Sequence, residues 1–276
     1  MIDPVVGMAW VRDRPVVLAD VRWYLDGRSG REAYDRGHLP GAVFIDLDTA
    51  LARPASPADG RHPLPDPGVF AAAMAAAGIN DQDQVIAYDD AGGVVAARLV
   101  WMLRATGHDA ALLDGGLTAY RGELTTELPD RPPASFTARP WPVDRLASLA
   151  ETAQRAEKAE TAAVPGVVLD ARDRPRFRGD TEPVDPRPGH IPGARNLPCR
   201  GNVDADGRFL PVAELRERFA AVGVDGTADV ISYCGSGVTA CHNLIALEHA
   251  GLGVGRLFPG SWSQYSHTDR PAATGD

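Results

Sequence analysis

Lysine is almost absent from this 276-residue chain: Lys158 stands alone among 28 basic residues, and no long basic run occurs. Acidic residues number 37, so the formal net charge is −9. Nucleic-acid affinity rests on phosphate neutralisation by a basic surface, so nucleic acid is excluded as a natural partner. An anionic substrate would have to be met by a few local arginines. Long hydrophobic runs are missing too. Nothing approaches the roughly 18 to 20 uninterrupted apolar residues that span a bilayer. Residues 1–17 mix charges with short apolar pieces and lack a signal-peptide core. No membrane contact and a cytoplasmic location are the expectations. Cysteine is scarce, with Cys199, Cys234 and Cys241 only. An odd number in a chain too large to need disulfide staples reads as thiols. Seven residues separate Cys234 from Cys241, and two helical turns put them on the order of 10 Å apart, too far to bridge. No C-x-x-C pair joins the cysteines or His242, so no metal site and no cofactor are expected.

What is present is a soluble composition, 44% hydrophobic and 24% charged, long enough for one large domain or two with separate cores. An internal repeat decides for two. Val17-Leu18-Ala19-Asp20-Val21-Arg22 resembles Val167-Val168-Leu169-Asp170-Ala171-Arg172. Gly37-His38-Leu39-Pro40-Gly41-Ala42 resembles Gly189-His190-Ile191-Pro192-Gly193-Ala194. Val85-Ile86-Ala87-Tyr88-Asp89 resembles Val230-Ile231-Ser232-Tyr233-Cys234, and Leu113-Asp114-Gly115-Gly116-Leu117 resembles Phe258-Pro259-Gly260-Ser261-Trp262. Four landmarks in one order mark a duplication.

Within each half, β-branched or apolar runs (16–19, 85–88, 110–113, 167–169, 229–233) read as buried strands. Ala- and Leu-rich stretches (69–77, 94–105, 212–221, 238–250) read as helices. Strand-helix alternation implies an α/β fold, with mainly parallel sheets carrying helices on both faces. The expected domains are 1–127 and 146–276, joined by a linker, 128–145, in which proline fixes φ and removes donors. The glycine-rich segment 251–255 precedes a strand instead of following one, which makes it a helix stop and turn, not a nucleotide loop.

Chemistry concentrates in Cys234-Gly235-Ser236-Gly237-Val238-Thr239-Ala240. A buried strand ends at Tyr233, a loop with two glycines follows, and a helix is expected to begin near Val238. Ligands bind beyond the carboxyl ends of parallel strands. Glycines let successive N–H groups turn toward one point, and a helix N-terminus adds unsatisfied donors. An anion at the Cys234 sulfur would be held there, favouring thiolate over thiol. Cysteine phosphatases share such a cradle but need an arginine at the sixth position after the cysteine. Ala240 stands there.

This loop resembles the active loop of the rhodanese superfamily of sulfurtransferases, tandem-domain type, and its 3-mercaptopyruvate branch in particular. The Gly-His-x-Pro-Gly segments, Leu113-Asp114-Gly115-Gly116-Leu117, Arg176-Phe177-Arg178-Gly179 and Gly260-Ser261-Trp262 extend the likeness over nearly the whole chain. The resemblance implies two tandem rhodanese-like domains, the first structural. Asp89 stands there in place of the cysteine and cannot accept sulfane sulfur, so that domain is expected to supply one wall of the site. It further implies double displacement through a Cys234 persulfide. A small anionic donor, 3-mercaptopyruvate or alternatively thiosulfate, would give sulfur to a thiol, a thioredoxin-like protein or cyanide. A slowly turning persulfide carrier is the reading from another class.

Residue roles follow from the resemblance. Cys234 is the nucleophile. Ser236 relays protons, or simply caps the next helix. Gly235, Gly237, Val238 and Thr239 contribute backbone N–H groups. Arg176 grips the donor's carboxylate or sulfonate. Arg187 is the candidate second arginine, although the segment before it differs in length from the family pattern. Arg172 and Arg178 read as surface salt-bridge formers. Asp48 and His62 match positions that would orient Ser236. His38 and His190 recur in both halves and read as fold residues, and Cys241 as core.

Overall fold

Parallel sheets occur almost only where helices cover both faces, and among the described residues every pairing between strands is parallel. The computed structural model describes residues 1–159 and 166–276. They form two units. One comprises Met1–Arg53, Leu64–Pro142 and Val203–Phe209; the other comprises Pro54–Pro63, Val143–Asn202 and Leu210–Asp276. Two short segments therefore pack against their order in the chain, and one of them carries His62.

The first unit holds β1 (Val5–Val6), β2 (Val16–Asp20), β3 (Val43–Phe44), β4 (Gln84–Tyr88) and β5 (Ala110–Leu113) in the order β1-β5-β4-β2-β3. Ile86, Tyr88, Ala111 and Leu113 meet Leu39 and Ala42 in one core cluster. The second unit holds β6 (Gly166–Asp170), β7 (Arg195–Asn196), β8 (Asp229–Tyr233) and β9 (Arg256–Leu257) in the order β7-β6-β8-β9. Its core gathers Ile231, Tyr233, Phe258, Trp262 and Tyr265 around Phe177 and Ile191. Both sheets use the same register. Asp20 faces Tyr88 across β2 and β4, and Asp170 faces Tyr233 across β6 and β8. Asp89 and Cys234 therefore leave their strands at equivalent points.

Buried polar devices repeat with the strands. Arg22 binds Asp20 and the Gly37 carbonyl; Arg172 binds Asp170 and the Gly189 carbonyl. Tyr88 and Tyr233 hydroxyls accept the N–H of Leu39 and Ile191. Arg172 is thus an interior strut, not the surface residue expected from sequence, because a buried carboxylate and a carbonyl await it. Arg178 does lie outside, paired with Asp180 and Asp276. His38 and His190 bond the carbonyls of Tyr34 and Phe177, and each stacks on the same residue's ring.

The helices after the two loops begin later than periodicity alone indicates, at Ala97 and Ala240 instead of 94 and 238. In the first loop the N–H groups of Val95 and Ala96 donate instead to the Asp89 carboxylate. Residues 128–142 form neither strand nor helix, and Gly251, at φ +68°, turns the chain after the helix Ala240–His249. Among the described residues no helix is long and apolar enough to cross a membrane.

Candidate active site

Cys234 directly follows β8 with its side chain buried, 2% exposed. The Gly237 N–H donates to its sulfur at 3.1 Å. Gly237 sits at φ +77°, and a Cβ there would come within 2.4 Å of the Pro259 carbonyl oxygen. Glycine is therefore the residue that lets this N–H point back at the thiol. The N–H groups of Gly235, Ser236, Val238 and Thr239 donate to no protein acceptor among the described residues. Buried or half-buried donors without partners carry a desolvation cost that an anion would remove.

The first unit supplies an internal comparison. At the equivalent strand end, the Asp89 carboxylate accepts four N–H bonds, from Ala91 and Gly93 on one oxygen and from Val95 and Ala96 on the other, at 2.7 to 3.0 Å. Burial pushes its carboxyl up from the usual 3.8, against those four donors, which pull it down. A loop of this pattern converges its amides on one anionic group. In the first unit the chain's own carboxylate fills that place; in the second a thiol begins it and leaves donors to spare.

Neighbouring segments fix the loop. The Cys234 N–H donates to the Ser261 hydroxyl at 3.1 Å, which donates in turn to the Phe258 carbonyl. Ser261 takes φ +52°, the only positive φ outside glycine among the described residues, and its repeat counterpart is Gly116 at +48°. Left-handed backbone costs a non-glycine residue about 1–2 kcal/mol, and the paired hydroxyl offsets part of that. Cys241 lies in the first turn of its helix, where its thiol donates to the Gly237 carbonyl. It is not two turns in, because the helix starts at Ala240. Burial, chiefly, and then the neighbouring Cys234 push the Cys199 thiol up to about 12. Cys199 stays protonated. All three cysteines are free.

Polar side chains meet the loop from two directions. His62 Nδ1 lies 2.8 Å from the Ser236 hydroxyl, and both residues are buried. A hydroxyl and an imidazole at that separation can pass a proton either way. Arg176, on the short helix Arg174–Arg178, and Arg61 flank Gly235. Their guanidinium nitrogens lie 3.4 and 3.2 Å from where a Gly235 side chain would begin. Asp185, its side chain 2% exposed, ties both together through Arg61 Nη1 at 2.8 Å and Arg176 Nη2 at 3.1 Å. Glu182 also binds Arg176, at 2.6 Å. Arg61 and Asp185 line a cleft of about 400 Å3 with Ser56, Gly60, Ser263 and His267.

Arg187 is placed differently. Its guanidinium donates to the carbonyls of Tyr265, Ser266 and Arg270, so it braces the C-terminal segment. Asp48 lies in the first unit on the helix Leu47–Ala50 and accepts the Trp23 indole N–H. Arg61, Asp185 and Ser261 were not singled out from sequence. Only Ser261 left a signal, by aligning with Gly116 in the repeat.

The family profile described as "Rhodanese-like domain" matches residues 8–123 and 148–268. A Pseudomonas aeruginosa protein named "Probable 3-mercaptopyruvate sulfurtransferase" is 42% identical over 271 residues, covering 95% of this chain and 93% of that one. A Mycobacterium tuberculosis protein named "Putative thiosulfate sulfurtransferase SseB" is 40% identical over 266 residues, covering 95% and 92%. The crystal structure of SseA from Escherichia coli, described as a 3-mercaptopyruvate sulfotransferase with the rhodanese fold, superposes with a TM-score of 0.81 at 30% identity. That superposition covers 95% of this chain and all of the other.

Proposed function

This chain belongs to the rhodanese-like sulfurtransferases, and from that premise we propose that it carries sulfur as a persulfide on Cys234, with 3-mercaptopyruvate as donor. The observation that carries the reading is the Cys234 sulfur receiving the Gly237 N–H amid four unpartnered loop amides. Such donors favour the anion before transfer and the terminal sulfur after it.

In the first half-reaction the Cys234 thiolate attacks the donor sulfur. The donor's C–S bond breaks and its electron pair passes to carbon as the enolate of pyruvate. The Ser236 hydroxyl, backed by His62 at 2.8 Å, delivers the proton that completes pyruvate. In the second half an acceptor thiolate or cyanide attacks the outer sulfur. The S–S bond breaks, the pair returns to the Cys234 sulfur, and a persulfide or thiocyanate leaves. Arg176 and the loop amides orient the donor's carboxylate. The family resemblance adds Asp48 to the Ser236–His62 pair, and an Asp48→Asn variant tests that assignment. Arg187, bound to three carbonyls, does not fit a donor-binding role.

Thiosulfate is the rival donor, because one close relative carries that name. A monoanionic carboxylate donor accords better with the acid-rich surroundings of Arg176, where Glu182 and Asp185 both bind the guanidinium. Steady-state turnover with each donor and cyanide as acceptor decides the matter. A higher kcat/KM for 3-mercaptopyruvate supports the reading; a thiosulfate preference overturns the donor, and no turnover with either overturns the enzyme.

A further inference from the structure

Three guanidinium groups and three carboxylates form one buried or half-buried network beside the cysteine loop. Arg61 binds Asp185; Arg176 binds Asp185 and Glu182; Arg172 binds Glu182 and Asp170. The charges match one for one. Two arginines flanking Gly235 would by themselves present a strongly cationic mouth, well suited to a doubly charged anion. The carboxylates cancel that surplus. Of the three, Asp185 alone bridges the two flanking arginines, one oxygen to each.

We propose that Asp185 sets the charge of the sulfur donor this enzyme accepts, by holding Arg61 and Arg176 as a clamp with no excess positive charge that favours singly over doubly charged donors. This rests on the sulfurtransferase reading and deepens it. Arg61 belongs to the clamp because it is poised and under-used. Its Nη2 lies 3.2 Å from where a Cβ on Gly235 would stand, and its Nε is buried without a hydrogen-bond partner. A carboxylate arriving at the loop can accept from Arg61 and Arg176 together in a planar, two-point grip. A dianion meets the same donors but places its second charge against the Asp185 and Glu182 carboxylates. It also arrives with about four times the desolvation cost, which grows as the square of charge. Nothing in the clamp offsets that second charge.

The test is kcat/KM for 3-mercaptopyruvate and for thiosulfate, with cyanide as acceptor, in the wild type, Asp185→Asn and Arg61→Met. Asparagine keeps the shape and removes one negative charge. It should raise the thiosulfate-to-mercaptopyruvate ratio on the order of tenfold, the size expected for one partly screened charge at contact range. The gain should appear in the KM for thiosulfate more than in kcat. Methionine at position 61 keeps the volume, removes a positive charge, and should move the ratio the other way. A ratio unchanged or lowered in folded Asp185→Asn overturns the proposal. If that variant does not fold, a ratio unchanged or raised in Arg61→Met overturns it. Failure of the wild type to take sulfur from either donor would instead defeat the sulfurtransferase reading itself, so the two failures are distinguishable.

Discussion

Replacing Gly237 with alanine isolates the loop geometry on which the proposed persulfide chemistry rests. The residue sits at φ +77°, which costs a side-chain-bearing residue about 1–2 kcal/mol. The added Cβ would also stand 2.4 Å from the Pro259 carbonyl oxygen and 3.0 Å from its Cα. Those are backbone atoms and cannot swing aside, so the loop must retreat by roughly 1 Å to regain ordinary contact. The Gly237 N–H moves with it, away from a sulfur it now reaches at 3.1 Å. A hydrogen bond to a charged group contributes about 1.5–3 kcal/mol, so persulfide formation should slow by roughly 10- to 100-fold. Stability should fall by about 2–4 kcal/mol in the same variant. Gly235→Ala is the matched control. No positive φ constrains it, and its Cβ would meet only guanidinium nitrogens of Arg61 and Arg176 at 3.2 and 3.4 Å. Those nearest atoms are all ends of flexible side chains and can shift, so this variant should keep its melting temperature and lose donor affinity instead. Thermal denaturation with single-turnover sulfur uptake separates the two. Wild-type melting and uptake in Gly237→Ala would refute the reasoning, as would a greater destabilisation by Gly235→Ala.

Other perturbations address other links. His62→Ala should lower kcat with 3-mercaptopyruvate by about 100-fold, the usual size for a lost proton relay. It should cost much less with thiosulfate, whose leaving sulfite needs no proton at carbon; equal losses with both donors would remove His62 from the proton path. Asp89→Ala would orphan four N–H groups, three of them buried. It should destabilise the protein by about 3 kcal/mol or more while sulfur uptake persists, and an unchanged melting temperature would contradict the cradle argument. Burial lowers the His190 ring below its ordinary 6.5, opposed by the bond to the Phe177 carbonyl. The folded state thus favours the neutral ring, so this contribution to stability is complete above pH 6.5 and declines as pH falls below it. Melting between pH 7.5 and 5.5 should drop more steeply for the wild type than for His190→Gln, and parallel curves would exclude the linkage.

Much of this architecture is legible in sequence because local chemistry and tertiary need agree. Runs such as Val85-Ile86-Ala87-Tyr88 are too apolar to face water, and β4 follows them. Glycines at 235 and 237 announced a loop turning its amides inward. What escaped notice depends on long-range placement. Arg61 meets Asp185 across 124 positions, while the meeting of His62 with Ser236 across 174 positions was reached through the family resemblance alone. Both arise because Pro54–Pro63 packs with the second unit, and no periodicity encodes that. Arg187 carries the right charge near the right motif, yet the changed spacing sends it to the carbonyls of Tyr265, Ser266 and Arg270. Ser261 hides its left-handed backbone because serine does not advertise it as glycine would. The helix Leu149–Ala159 was also not anticipated. Ala153 and Ala156 form part of its buried face, and alanine spacing is a weak signal.

Intact mass spectrometry after brief exposure to 3-mercaptopyruvate, without an acceptor, probes the central claim most directly. One added sulfur should appear as a gain of about 32 Da on the wild-type chain, removable by thiol and absent from Cys234→Ser. A wild-type mass that does not change, or the same gain in the serine variant, would contradict the account.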